Sequence, residues 1–326
     1  MFLVAVFLAC PALAISQTHR ASVRGTVYDP NHAVIQGAEV SLINRETGQT
    51  RNTTTNKDGG YAISTVEPGS YEVKVTANGF KSVTQPVDLN VNQEPRIDLS
   101  LEVGSPTSDN VPVPIMEDLK KDSGSLGTVI DNRSIVGLPL DGRNFYELTL
   151  LVPGAVPAAP GSAGSVRGDF AFSVNGARED ANNFLLDGVY NVDPKLNTFG
   201  VRPPVDAIRE FEMLTSSYDA AFGRNPGAQV NVVLKSGTNQ LHGSLFEFHR
   251  NAALDARNFF APANEGKPKY IRNQFGGAIG GSIINDKTFW FADYEGTRSR
   301  EGITRISNVP TARERAGDFS QSLFGV

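Results

Sequence analysis

The chain has 326 residues, enough for about two compact domains, and its 32 glycines and 19 prolines against 20% charged residues suit strands joined by turns. A net charge of −5 supplies no basic footprint, so no nucleic-acid partner is expected. Cys10 is the one cysteine, which excludes a disulfide framework, thiolate metal sites and cysteine nucleophiles.

The first apolar run, "FLVAVFLACPALAI", is too short to cross a bilayer as a helix. Followed by the small-x-small word Ala12-Leu13-Ala14, it reads as a secretory signal peptide over residues 1–17. No Lys or Arg follows Met1, so the positive n-region is missing and the true start codon is left open. A lipoprotein reading through Cys10 is weaker, because Phe7 suits that motif poorly.

Residues 18–102 show strand-like runs about ten residues apart, with Asp-Gly, Pro-Gly and Asn-Gly between them, the pattern of a β-sandwich. Tyr71, Val73 and Val75 share one face of a strand, with Glu72 and Lys74 on the other. "NKDGGY" at 56–61 offers one carboxylate, Asp58, so it reads as a tight turn and not as a calcium loop. The ordered words carried by Gly25, Val27, Gly37, Ala38, Val40, Gly60, Tyr61, Pro68, Gly69 and Tyr71 resemble the carboxypeptidase regulatory-like domain. That resemblance implies a transthyretin-like β-sandwich without hydrolytic activity, forming the N-terminal module of a larger secreted or outer-membrane chain.

Residues 103–120, containing "VGSPTSDNVPVPIMED", lose periodicity and read as a linker. Val111, Val113 and Ile115 alternate there with prolines, and an extended segment of this kind can add to the sheet edge of a partner. Pro112 and Pro114 remove two backbone donors, which favours the competing reading of a stiff spacer with no partner.

Residues 121–240 mix short elements and long loops. Phe145, Leu148 and Val152 recur at helical spacing in "RNFYELTLLVPG", predicting one short helix ended by Pro153-Gly154. "NNFLLDGVY" predicts a strand turning at Asp187-Gly188, and "REFEMLTSS" a strand alternating Phe211 and Met213 with Glu210 and Glu212. "AQVNVVLKSGTN" predicts a further strand ended by Gly237.

The words "R-x-F-x-E-L" at 143–148, "V-N-G-A-R" at 174–178, "L-D-G-V" at 186–189, "I-x-E-F-E" at 208–212 and "K-S-G-T-N" at 235–239 occur in an order similar to the plug of TonB-dependent outer-membrane receptors. The branch resembled is the Oar-like one, which carries an N-terminal carboxypeptidase regulatory-like module. The resemblance implies an α/β plug at 121–240 and a TonB box in the linker, for which Val111, Val113 and Ile115 are the candidates. It also implies a TonB-type energising protein of the inner membrane as partner.

From residue 241 the pattern changes again. "LHGSLFEFHRN" places Phe246 and Phe248 opposite Glu247 and His249. In "YIRNQFGGAIGGSII", Ile271, Phe275, Ile279 and Ile283 oppose Arg272, Gln274, Gly276, Ala278 and Ser282, and Asn285-Asp286 turns the chain in two residues. "KTFWFADYEGTR" sets Trp290 and Tyr294 opposite Phe291, Asp293 and Glu295. Strands of about ten residues with one apolar face, joined by one long loop and then one short turn, are what a transmembrane barrel requires. Trp290 and Tyr294 are expected toward outer-membrane lipid, and the glycines of "GGAIGG" suggest close approach of plug to wall or simple flexibility. Three strands do not close a barrel, so the chain reads as the N-terminal part of a longer product.

No G-x-S-x-G, P-loop or H-E-x-x-H word occurs, and His242 and His249 fall on opposite strand faces, so neither catalytic residues, metal nor cofactor are expected. The expected fold is mainly β: a transthyretin-like β-sandwich, an α/β plug domain, then the first strands of an incomplete transmembrane β-barrel at 241–326. The expected protein is an outer-membrane TonB-dependent receptor, moving a substrate left open among glycan, peptide and chelate, with its sandwich in the periplasm. A secreted or surface adhesion or carbohydrate-binding protein acting through the sandwich is the competing class.

Overall fold

The computed structural model describes residues 20–104, 125–159, 162, 171–195, 197–218, 222, 225–257, 267–302 and 309–320. Residues 1–17, expected to be a signal peptide, and the candidates Val111, Val113 and Ile115 lie outside these. The fold is mainly β. Two compact units form: the residues up to Ser244 together with Gly277–Tyr294, and Leu245–Gly276 together with those from Glu295 onward.

The first unit begins with a module of seven strands. They are Ala21–Tyr28 (β1), Glu39–Asn44 (β2), Thr50–Thr54 (β3), Gly60–Val66 (β4), Gly69–Thr76 (β5), Val83–Leu89 (β6) and Leu99–Ser100 (β7). Their order is β4-β1-β7 in one sheet and β3-β2-β5-β6 in another. In β1 and β5 burial alternates residue by residue, as a strand with one apolar face dictates. Val40 pairs with Val75 and Leu42 with Val73, and these side chains share one core with Val23, Val27 and Leu99 of the other sheet. Tyr61 closes that core, its hydroxyl donating to the Ile97 carbonyl at 2.8 Å. Burial, helped by the nearby Asp98 charge, pushes the Tyr61 phenol far above its ordinary pKa, so it stays a donor.

The same unit continues in a five-stranded sheet of order β12-β11-β14-β13-β8. Its strands are Leu126–Asp131 (β8), Asn183–Leu186 (β11), Val189–Tyr190 (β12), Ile208–Ser216 (β13) and Gln229–Leu234 (β14), while Ala155–Pro157 (β9) and Phe172–Val174 (β10) pair separately. A helix absent from the sequence expectations, Asn132–Gly137 (α1), follows β8 directly. Asp131 starts it, accepting from the Ser134 amide at 2.9 Å, and hydrogen bonds from Ser134 hold the Asp131 carboxyl below its usual pKa. Asp187 and Gly188 take φ of 48° and 76° and turn β11 into β12, as the Asp-Gly word predicts.

One expectation is corrected in form. Residues 141–151 make two 3-10 segments, Asp141–Arg143 and Phe145–Leu151, in place of an α-helix. Gly142 and Arg143 adopt positive φ within the first segment, and the tighter winding of the second buries Tyr146 as well as Phe145 and Leu148. Tyr146 stacks on Phe199 with ring centroids 3.9 Å apart and planes 6° from parallel, and Phe184 meets both rings edge-on.

His242–Asn251 (β15), Tyr270–Ile284 (β16) and Thr288–Glu301 (β17) form a three-stranded sheet in that order. The turn between β16 and β17 occupies 285–287, one residue longer than the sequence suggests, with Asp286 at φ 62°. Burial in β16 runs opposite to that of a water-soluble strand. Gln274 is 5% exposed and Ala278 is buried, whereas Ile279 and Ile283 are 44% and 68% exposed. In the second unit, the Arg250 guanidinium lies 5.2 Å over the Tyr270 ring and His249 meets Asn273 at 2.6 Å. A short helix, Ala312–Arg315 (α2), is closed by a Thr311–Glu314 capping box.

Candidate functional site

The sheet of the first unit is held from three sides, and β13 is common to them. Phe211 and Met213 point into the core, leaving Glu210 and Glu212 on the opposite face of the strand. At 4% and 3% exposure those carboxylates are nonetheless buried. The corner after β6 covers them: the Val91 amide donates to Glu210 at 2.7 Å and the Asn92 side-chain amide to Glu212 at 2.5 Å. Burial is the foremost cause lifting the Glu210 carboxyl above its usual pKa, opposed by the Val91 amide and Arg209 and reinforced by Asp131.

Further contacts fix the module to the sheet. Arg209 pairs with Glu46 at 3.6 Å, and the Asn239 amide donates to the Glu46 carbonyl at 3.0 Å. Asn239 also exchanges hydrogen bonds with Asp286 of the β16–β17 turn, at 2.8 and 2.9 Å.

On its second side β13 pairs antiparallel with β8, from Glu210 opposite Asp131 to Ser216 opposite Leu126. β8 is an edge strand and is the first element after Gly104 among the described residues.

The third side carries charge. Arg143 and Asp206 form an ion pair largely withdrawn from solvent, and Ser244 at the start of β15 donates to the other Asp206 oxygen at 2.8 Å. Lys235 lies near this group, and burial is the main cause lowering its ammonium pKa, with Asp206 opposing and Arg209 reinforcing. Gly237 brings this segment against β16 and β17. A Cβ there would stand 2.3 Å from the Trp290 carbonyl and 2.4 Å from that of Gly281, so backbone touches backbone. Of the glycines in "GGAIGG", Gly281 is the one whose backbone carbonyl meets Gly237 this closely.

The proposed partner-binding residues Val111, Val113 and Ile115 have no position in this geometry, lying outside the described residues. The structure brings together Arg143, Asp206 and Ser244, and Glu210, Glu212, Val91 and Asn92, and sequence reasoning assigned none of these a role. Two same-face carboxylates opposite a core-facing Phe-x-Met were the available signal for the second group. Among the described residues no group of His, Cys, Asp and Glu could hold a metal ion.

Comparison with known proteins agrees with both ends of this arrangement. Residues 22–102 match the carboxypeptidase regulatory-like domain, and residues 233–324 match an outer membrane beta barrel domain. Over 281 residues the chain is 25% identical to the TonB-dependent transporter Oar of Myxococcus xanthus. The chain is a homologue of that transporter. The match covers 78% of this chain, which spans 24% of the length of that relative. Its place is the outer membrane, where both the barrel match and this homology put it. Among solved structures, the siderophore receptor PirA from Acinetobacter baumannii is 21% identical, with 52% of this chain and 24% of that one covered and a TM-score of 0.40. A catechol 1,2-dioxygenase from Acinetobacter sp. ADP1 is 12% identical, with 31% and 60% covered and a TM-score of 0.24. Neither likeness bears on function at these scores.

Proposed function

We propose that the protein works as a TonB-dependent transporter and not as an enzyme. Residues 18–102 form the periplasmic sandwich, 103–120 the linker gripped by a TonB-type inner-membrane partner, 121–240 the plug and 241–326 part of the barrel wall. The partner pulls on the linker, the plug rearranges, and a substrate passes between plug and wall; the direction of transport is left open.

The inverted burial of β16 carries this reading. A strand that hides Gln274 and displays Ile279 and Ile283 suits a wall with lipid outside and polar filling inside. The edge position of β8 directly after the linker adds the mechanical part. Pull-down with the periplasmic domain of the TonB-type partner tests the assignment of Val111, Val113 and Ile115. Capture by the intact protein and loss of capture on deleting 109–117 are expected. Unchanged capture after the deletion removes the linker from the mechanism.

A further inference from the structure

We propose that the N-terminal module is a releasable clamp on the plug, anchoring the far end of the linker to the same strand that anchors the near end. This rests on the reading of the linker as the gripped segment.

The covalent order is the Val91–Asn92 corner, β7, the linker, then β8. The corner is bonded to Glu210 and Glu212 of β13, and β8 is laddered onto β13 between Glu210 and Ser216. The described residues that flank the linker thus both lead to β13, Gly104 through the module whose corner is bonded there and β8 through its own ladder. A partner that grips the middle of the linker loads two attachments in parallel instead of β8 alone.

The two attachments differ in kind. β8 is held by a backbone ladder whose bonds share load along the strand. The module is held by separate polar contacts: Val91 to Glu210, Asn92 to Glu212, Glu46 to Arg209, and the Asn239 amide to the Glu46 carbonyl. Glu46 and Arg209 are partly solvated, so water replaces their pairing at little cost. Once these contacts break, Glu210 and Glu212 regain water and lose the burial penalty that docking imposes. The clamp therefore opens before β8 peels, and while it stays closed it shares the load and shields the ladder. The module acts as a threshold on the pull needed to move the plug.

Asn92 offers a narrow test, because its φ of 55° is one that glycine adopts freely. Asn92→Gly removes the bond to Glu212 and spares the backbone. The experiment is force spectroscopy on the protein in lipid nanodiscs, with one handle on a cysteine at Val113 and the other in the loop after β15. Two successive events are expected, module release and then β8 peeling, and Asn92→Gly should shorten the lifetime of the first by about tenfold, the effect of losing a hydrogen bond to a charged group. Glu212→Gln, which keeps an acceptor oxygen, should lie between the two. A single event indifferent to both substitutions, or β8 peeling first, overturns the clamp. Hydrogen exchange across 126–131 checks that each variant remains folded. No energising partner takes part, so the outcome is independent of whether the linker proves to be the partner's grip.

Discussion

Asp206 holds Arg143 with one carboxylate oxygen and the Ser244 hydroxyl with the other, joining a 3-10 segment, the start of β13 and the start of β15. Both charged side chains are largely withdrawn from water. Removing one partner strands the other. Asp206→Ala is expected to destabilise the first unit by about 3–5 kcal/mol, the range for an orphaned buried charge. Urea midpoints followed by limited proteolysis of 125–240 measure this. Asp206→Asn, which keeps an oxygen for Ser244, should lose less.

Phe199 presents both faces of its ring to the protein, one stacked on Tyr146 and one beneath the Arg202 guanidinium at 4.7 Å. Phe199→Ala leaves a cavity beside Tyr146 and Phe184 and should cost about 3–5 kcal/mol by the same measurement. Phe199→Leu should recover roughly half of that, since it restores volume without the stacking.

Glu210 makes module docking pH-dependent. Docking raises its pKa above the ordinary glutamate value, so its contribution is full below that ordinary value and fades as pH rises through the raised one. The facing charges are Arg209, which favours ionisation, and Asp131, which disfavours it. Hydrogen-exchange protection factors at 88–94, corrected for the intrinsic pH dependence of exchange, should be higher at pH 5 than at pH 8, and Glu210→Gln should flatten the difference. Lower protection at pH 5 would reverse the sign argued here.

The two faces of β16 should respond oppositely to charge. Ile279→Arg is expected to weaken assembly into lipid vesicles by about 2–4 kcal/mol, while Gln274→Arg on the polar face changes it little. Urea titration of vesicle-inserted protein separates them. A larger loss at Gln274 would mean the strand belongs to a water-facing sheet.

Local pattern makes much of this fold legible in the sequence. The alternation in β1 and β5 follows from a period of two, and Asp187-Gly188 announces its turn by residue type alone. The 3-10 winding at 145–151 does not announce itself, since Phe145, Leu148 and Val152 fit a helical spacing and the buried Tyr146 departs from it. Helix α1 has only six residues, too few to show a period, and is marked by its Asp131 cap alone. The docking corner is least legible, because Val91 meets Glu210 119 positions away, and nothing local to "NVNQ" says that a carboxylate waits there.

Gly237 has a genetic consequence. Its neighbours across the seam are carbonyl and amide atoms of Gly281 and Trp290, groups that every residue type possesses equally. A larger residue at 237 therefore has no compensating substitution at those positions, because no side chain there can be trimmed to make room. Suppressors of Gly237→Ala should arise as insertions or deletions that shift the backbone, and a screen limited to point changes at 281 and 290 should return none.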